Sequence, residues 1–472
     1  MFVAGAWTGA ASGETFVADS PATGEAIGEV PQGDRLDAQR AIAAANGAAG
    51  AWARLTPFDR ALFLNRVGDE IERRRDHLVH TLTLDQGKPL HESRDEVEEL
   101  VAYWRNAAED GKRLEGRLAN SFTPGKRVLL VRRPRGVIGV ITPWNWPYTM
   151  PAELIAPALA SGNTVVWTPA STTAVCATAL AECVVEADLP PGVFNLVTGP
   201  GRVVGDEIAR NPGTHGIGFI GSTETGRKVA EAAAGKAAVL ELGGNGPVVV
   251  MDDADLDLAA AATVTACFLC AGQSCTAGER LLVHRSVREE FVEKVAKLVD
   301  GVVLGDPFAD DTTMGPLNNA GVARKMDEHV ADALERGATL VAGGARAGGF
   351  PTDLYWQPTV LDGVPEDALV AVEETFGPVA PVVAIDSLDE AIRLANASPY
   401  GLLSAIFTRD LAQGLRYADE VKTGWVNVND SSNYWEAHLP FGGRAGTASG
   451  IGRVGGSAPM ESFTELQTVV IA

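Results

Sequence analysis

An α/β protein built on two nucleotide-type sheets is predicted by three features of this 472-residue sequence. Short runs rich in Val and Ile alternate with helix-length segments between residues 137 and 234, and a second such series starts at Pro247. The chain is too long for one ordinary core, which points to two or three domains. Its 46% apolar and 21% charged composition is that of a globular chain, neither disordered nor membrane-spanning. Strand followed by helix, repeated, is the signature of a doubly wound sheet, which takes nucleotides at its strand ends.

Residues 1–30 contain turn-rich pieces such as Ser20-Pro-Ala-Thr-Gly24. Residues 34–115 read as helical, with apolar spacings of three and four. Within them the charge run Glu70–Asp76 reads as a solvated helix face. A β-like stretch, Arg127–Arg132, leads into the apolar strand Val137–Thr142. Asn163–Trp167 then reads as a strand, Thr172–Ala187 as a helix and Val193–Val197 as a strand. Val203–Ala209 is a helix, Gly216–Ile220 a strand and Glu224–Ala234 a helix. The second series begins with Pro247–Met251 and runs to about residue 445. The tail Glu465–Ala472 reads as a last strand, whose apolar edge needs a partner.

A formal charge of −22 argues against nucleic acid or an anionic membrane as partner, since both need basic patches. No apolar run approaches the ~18 residues of a membrane span. The first residues lack the pattern of a signal peptide, so a cytoplasmic location is expected. Cys176, Cys183, Cys267, Cys270 and Cys275 form an odd, clustered set that fits reduced thiols better than a disulfide framework. Cys267 and Cys270 make a C-x-x-C without a second pair or neighbouring His, so no metal is expected.

The chemistry-bearing residues sit in separate segments. Cys275, in Gly272-Gln-Ser-Cys275, offers a nucleophile, and Glu241, in Glu241-Leu-Gly-Gly244, offers a base. Asn145, in Pro143-Trp-Asn-Trp-Pro147, is a neutral donor suited to an oxyanion. Gly216-x-Gly218-x-x-Gly221 matches the dinucleotide fingerprint in letters only, because its first two glycines fall inside the strand. The segment Gly221–Gly226 is the better phosphate site, where amides at a helix start and the Ser222 hydroxyl could hold a pyrophosphate. An ordinary helix cap and turn is the alternative there.

With these motifs in order, the chain resembles the aldehyde dehydrogenase superfamily along essentially its whole length. Gln86-Gly-Lys-Pro89, Phe219-Ile-Gly-Ser222, Glu374-Thr-Phe-Gly-Pro378 and Pro440-Phe-Gly-Gly443 add to the likeness. The resemblance implies a Rossmann-like cofactor-binding domain (1–116 and 135–243), an α/β catalytic domain (244–445) and a small β bridging element (117–134 and 446–472) used for a homodimer or homotetramer. It implies non-acylating, NAD(P)-dependent oxidation: a Cys275 thiohemiacetal, a thioester, and hydrolysis with Glu241 as base. Ile141, Thr142, Pro143, Trp144, Phe219, Gly221, Ser222, Leu242, Gly243, Glu374 and Phe376 match the family's cofactor contacts.

Four positions depart from the family pattern. Thr168 stands where a ribose-binding Lys is common, and Ser171 where many NAD-selective members carry Glu, so NAD is expected and NADP is possible. Leu154 and Val454 replace a Lys and a Glu suggested to pass protons, which leaves the cofactor tunnel as the exit for the Glu241 proton. The positions matching the substrate tunnel are Trp146, Met150, Phe268, Leu269, Trp435 and Phe441. They include no Arg, which points to an apolar or aromatic aldehyde. Glu153 at a lining position, with Asp95, Glu96 and Glu99 on a helix expected at the entrance, supports an aminoaldehyde as the alternative. A coenzyme A-acylating relative would lack Glu241, a cysteine hydrolase would need a His partner, and a non-catalytic binding protein would not need the Cys275–Glu241–Asn145 set.

Overall fold

The computed structural model describes residues 1–472 and resolves them into two large sheets, a three-stranded sheet and a hairpin. In the first large sheet five parallel strands lie in the order Ala237–Glu241, Gly216–Ile220, Val137–Ile141, Thr164–Thr168, Phe194–Leu196. Of these five the chain forms the middle one first, winds one way, then returns to wind the other, while its first residues, Phe2–Val3 and Ala6–Trp7, extend the sheet beyond Phe194–Leu196. Its switch point lies between Val137–Ile141 and Gly216–Ile220, the place where such sheets bind ligands.

The predicted helical stretch is four helices: α1 (Arg35–Arg54), α2 (Pro57–Arg73), α3 (Arg75–Gln86) and α4 (Leu90–Gly111). Reciprocal side-chain caps at Asp34 and Thr56 start the first two, and Pro57 sits at the first position of α2, where it needs no amide. α5 (Thr149–Ala160) is buried at every residue beneath α4, which explains its lack of an amphipathic pattern. Ser171–Thr173 is a tight turn preceding α6 (Ala174–Glu186). Next come α7 (Val204–Arg210) and α8 (Thr223–Ala232). One apolar core fills the face of the sheet covered by α2–α6, and a smaller one lies under α1, α7 and α8.

The second sheet runs Thr339–Ala342, Thr359–Asp362, Val379–Ile385, Arg280–His284, Pro247–Val250, Leu403–Phe407, Trp425–Val428 and has its own core. The tail strand finds its partner within the chain: Thr464–Ile471 pairs antiparallel with Arg127–Pro134, next to Arg117–Ala119. The bridging boundary expected at 446 needs correction. Gly450–Ile451 pairs with Ala237–Glu241 in the first sheet, and Ala458–Ser462 packs on α5, so only the last strand joins the small sheet. Gly450 makes this possible, because a Cβ there would fall 1.9 Å from the Leu240 carbonyl oxygen.

Candidate active site

Cys275 lies in the loop after α9 (Leu256–Phe268) and is the only one of the five cysteines that is part-exposed rather than buried. The loop is reached through three successive left-handed residues, Cys270, Ala271 and Gly272, at φ +53°, +53° and +71°. Only glycine fits the last: a Cβ at Gly272 would fall 2.2 Å from the Gly377 carbonyl oxygen. The nucleophile loop is thus pressed against the segment carrying Glu374 and Phe376.

The donors expected for an oxyanion converge on the same loop. Asn145 is buried and donates one Nδ2 hydrogen to the Gln273 carbonyl at 3.0 Å, which fixes the amide and leaves its second N–H free. The Cys275 amide has no acceptor among the chain's own groups. Glu241 ends its strand close to Cys275, and Gly244 lets the following loop approach, since a Cβ there would sit 2.6 Å from the Cys275 carbonyl oxygen. Glu241 is buried with Oε1 unpartnered. Burial pushes its carboxyl up to about 8, opposed by a hydrogen bond with Cys275. Burial first, and the neighbouring Glu241 second, holds the Cys275 thiol well above the usual range.

Two cavities meet at this pair. The larger, about 290 Å³, opens at the switch point and is lined by Pro143, Trp144, Gly221, Ser222, Leu242, Gly243, Glu374 and Phe376 together with the catalytic residues. Its features suit a dinucleotide. Ser222 caps α8, whose free first amides and positive dipole end suit an anion. Gly243 leaves a cradle that a Cβ would fill, 2.7 Å from the Glu374 carboxylate, and Gly244 N–H donates to Glu374 Oε1 at 2.8 Å. Trp144 meets Phe376 edge to face at 5.6 Å. Phe376 is held at φ +61° by Glu279, which accepts from the Thr375 and Phe376 amides at 2.9 and 2.6 Å.

The smaller cavity, about 30 Å³, leads away on the other side of Cys275. Trp146, Met150, Leu269, Trp435 and Phe441 supply its apolar walls, and Glu153 and Glu241 are its acids. Glu153 accepts a hydrogen bond from the Tyr103 hydroxyl at 2.6 Å, and burial holds its carboxyl well above the usual range. No Lys or Arg lines this tunnel.

Several expected residues lie elsewhere. Phe268, expected in the substrate tunnel, is buried in the core of the second sheet because the helix ends there with its ring turned inward. Ile141, Thr142, Thr168, Ser171 and Phe219 do not line the larger cavity. Thr142 accepts from the Trp167 indole, Ser171 donates to the Gly199 carbonyl, and Phe219 is in the core under α8. Glu96, expected at the entrance, is fully buried and paired with Lys88 at 2.6 Å, while Asp95 is exposed and Glu99 half-buried. Leu154 and Val454 are both core residues.

Asn319, Gly321, Val322 and Lys325 also line the larger cavity, and sequence reasoning missed them. They sit at the start of α11 (Ala320–Glu335; α10 is Arg288–Val299), far along the chain from every motif. The available signal was Asn319 as helix cap, which the structure confirms by its bonds to the Gly321 and Val322 amides. Lys325 donates to the Glu374 carbonyl. In the tunnel, Ser274, Thr276 and Asn433 were missed in the same way.

The family model described as "Aldehyde dehydrogenase family" matches residues 7–469. A glutarate-semialdehyde dehydrogenase of Pseudomonas aeruginosa is 40% identical, covering 99% of this chain and 96% of its own. A succinate-semialdehyde dehydrogenase [NADP(+)] of Escherichia coli is 39% identical, again over 99% and 96%. Among solved structures, a betaine aldehyde dehydrogenase mutant from Staphylococcus aureus in complex with NAD+ superposes with a TM-score of 0.96 at 33% identity, over 100% of this chain and 96% of that one.

Proposed function

The chain belongs to the aldehyde dehydrogenase family, NAD(P)-dependent enzymes that oxidise aldehydes, and we propose that its own substrate is an uncharged, apolar aldehyde, oxidised to the acid through Cys275. The observation that carries this reading is the tunnel lining, five apolar or aromatic side chains and no cation beside the Cys275–Glu241 pair. The relatives' names specify semialdehydes, glutarate and succinate semialdehyde among them, which carry one carboxylate besides the aldehyde. Such a group is held most strongly by a cation, above all a bidentate Arg. Lys88, the cation against the tunnel residue Trp146, lies 3.7 Å from that ring's centroid and is fully buried in its pair with Glu96. The tunnel is also narrow, with a volume of about 30 Å³. A narrow tunnel of this kind favours a slim aliphatic aldehyde over an aromatic one.

In this reading each chemical step falls to a named residue. Glu241 takes the Cys275 proton, and the thiolate attacks the carbonyl carbon. The oxyanion of the thiohemiacetal is held by the free Asn145 N–H and the Cys275 amide, worth about 3 kcal/mol per donor. Oxidised nicotinamide dinucleotide, when bound, supplies the hydride acceptor and a positive charge. Glu241 then removes a proton from water as it attacks the thioester. Because Glu241 lines both cavities and Leu154 and Val454 are apolar core residues, the larger cavity is the route to solvent for its proton in this reading.

A second reading is favoured by one observation, Glu153 in the tunnel wall: losing its proton would give an anion for an aminoaldehyde. Whichever the substrate, we propose a homodimer or homotetramer, supported by the exposed apolar side chains of Leu118, Leu466, Val470 and Ile471 on the small sheet. The test follows reduced nicotinamide with NAD or NADP and four aldehydes: unbranched aliphatic, aromatic, ω-amino and ω-carboxy. The aliphatic aldehyde should give the highest kcat/KM, and Cys275→Ala should abolish turnover. Preference for the ω-carboxy aldehyde would refute the substrate assignment, and an active Cys275→Ala would refute the mechanism.

A further inference from the structure

Beyond the reacting groups, the left-handed turn before the nucleophile is held by a buried carboxylate from a distant helix. Glu92, in the first turn of α4, is buried, and both its oxygens accept from the Cys270 amide at 3.1 Å. Cys270 and Ala271 are the non-glycine members of that turn, and each adopts a backbone conformation that L-residues avoid. The turn delivers Gln273, whose side chain donates back to the Cys270 carbonyl at 2.9 Å and accepts from the Asn318 amide at 2.8 Å. The Gln273 carbonyl in turn receives the Asn145 side chain. A continuous path of hydrogen bonds therefore runs from Glu92 through Cys270 and Gln273 to the oxyanion donor.

The geometry points to Glu92 as a positioning residue for the oxyanion site: its carboxylate holds Cys270 in the left-handed turn and so aims Asn145 at the carbonyl bound beside Cys275. This rests on the reading that Cys275 and Asn145 carry acylation. A donor displaced by a fraction of an ångström stabilises the transition state less while substrate still binds, so the loss falls on kcat. Glu279 holds Phe376 by the same device on the cofactor side, which shows that this fold uses buried carboxylates to hold left-handed turns.

The experiment compares Glu92→Ala, Glu92→Gln and the double variant Glu92→Ala/Cys270→Gly by rapid mixing, reading the burst of reduced nicotinamide. Glu92→Ala should slow the burst about 30-fold with KM for aldehyde and affinity for NAD within twofold of wild type. Gln keeps one acceptor oxygen and should lose only about fivefold. Glycine at 270 adopts the left-handed turn without the carboxylate, so the double variant should recover at least fivefold over Glu92→Ala. An unchanged burst in Glu92→Ala overturns the proposal. So does a loss that glycine does not restore, which would make Glu92 a support of the fold alone. If the alanine variant does not fold, Glu92→Gln decides: wild-type burst overturns, a slowed burst at unchanged KM supports. Cys275→Ala in the same assay separates this from a failure of the mechanism, since only the latter leaves that variant active.

Discussion

The cofactor-side cavity and the substrate tunnel meet at Cys275, yet they are made of different material. The first draws heavily on backbone: glycines at 221, 243 and 321, the capped start of α8, and a left-handed turn at Phe376. The second is almost wholly side chains, contributed by α5, by the nucleophile loop and by the 433–441 loop. Backbone geometry is fixed by a few residues with no substitute, so the larger cavity is tied to one class of ligand. A wall of interchangeable apolar side chains is not. The family relationship accordingly carries the cofactor across and leaves the aldehyde open, which matches relatives acting on several different semialdehydes.

Glu241 belongs to both regions, and replacing it should have the largest effect. Burial raises its carboxyl to about 8. Below that pH it is protonated and cannot act as base; above it the base form is populated. Wild-type steady-state turnover should therefore rise with pH and level off above about 8, in the free enzyme's kcat/KM as well if acylation uses the same base. Glu241→Gln should lower turnover by about 10³-fold and flatten that limb. A pH profile that keeps its midpoint in the Gln variant would assign the titration to another group.

The same contrast explains what the sequence disclosed. The strands Val137–Ile141, Thr164–Thr168 and Gly216–Ile220 were legible because central parallel strands are continuous apolar runs. The Gly216/Gly218/Gly221 pattern was correctly read as misplaced, since Gly218 packs against Leu154 from inside the strand. Cys275, Glu241 and Asn145 were legible through their glycine- and proline-rich neighbours, which record the close backbone approaches. Lys325 and Asn433 were not, because an isolated polar residue leaves no local trace of what it will face after folding. Phe268 was misplaced for a related reason: at a helix end, one residue decides whether a ring faces the tunnel or the core.

A smaller effect is expected when the tunnel alone is widened. Trp435 lines the tunnel but not the larger cavity, with Phe441 at 5.8 Å and Tyr103 at 6.1 Å between ring centroids. Trp435→Ala should raise the ratio of kcat/KM for aromatic over slim aliphatic aldehydes about tenfold, a difference of about 1.4 kcal/mol, within the range expected of hydrophobic pocket changes. KM for NAD should stay put. A change in KM for NAD of similar size would show that the two regions are not separable, and that their different construction does not extend to their function.

The smallest effect tests the edge of the cofactor region. Thr168 ends a central strand, is fully buried, and its hydroxyl has no hydrogen-bond partner. An unpartnered buried hydroxyl is unfavourable, so the near-isosteric Thr168→Val should stabilise the fold by about 1 kcal/mol, measured as an upward shift of the thermal midpoint. Because Thr168 does not line the cavity, KM for NAD should be unchanged. A valine variant that is no more stable and binds NAD several-fold more weakly would mean that the hydroxyl finds its partner on the bound dinucleotide. The cofactor region would then reach one residue deeper into the sheet than its cavity does, and a buried side chain, rather than backbone alone, would hold its far end.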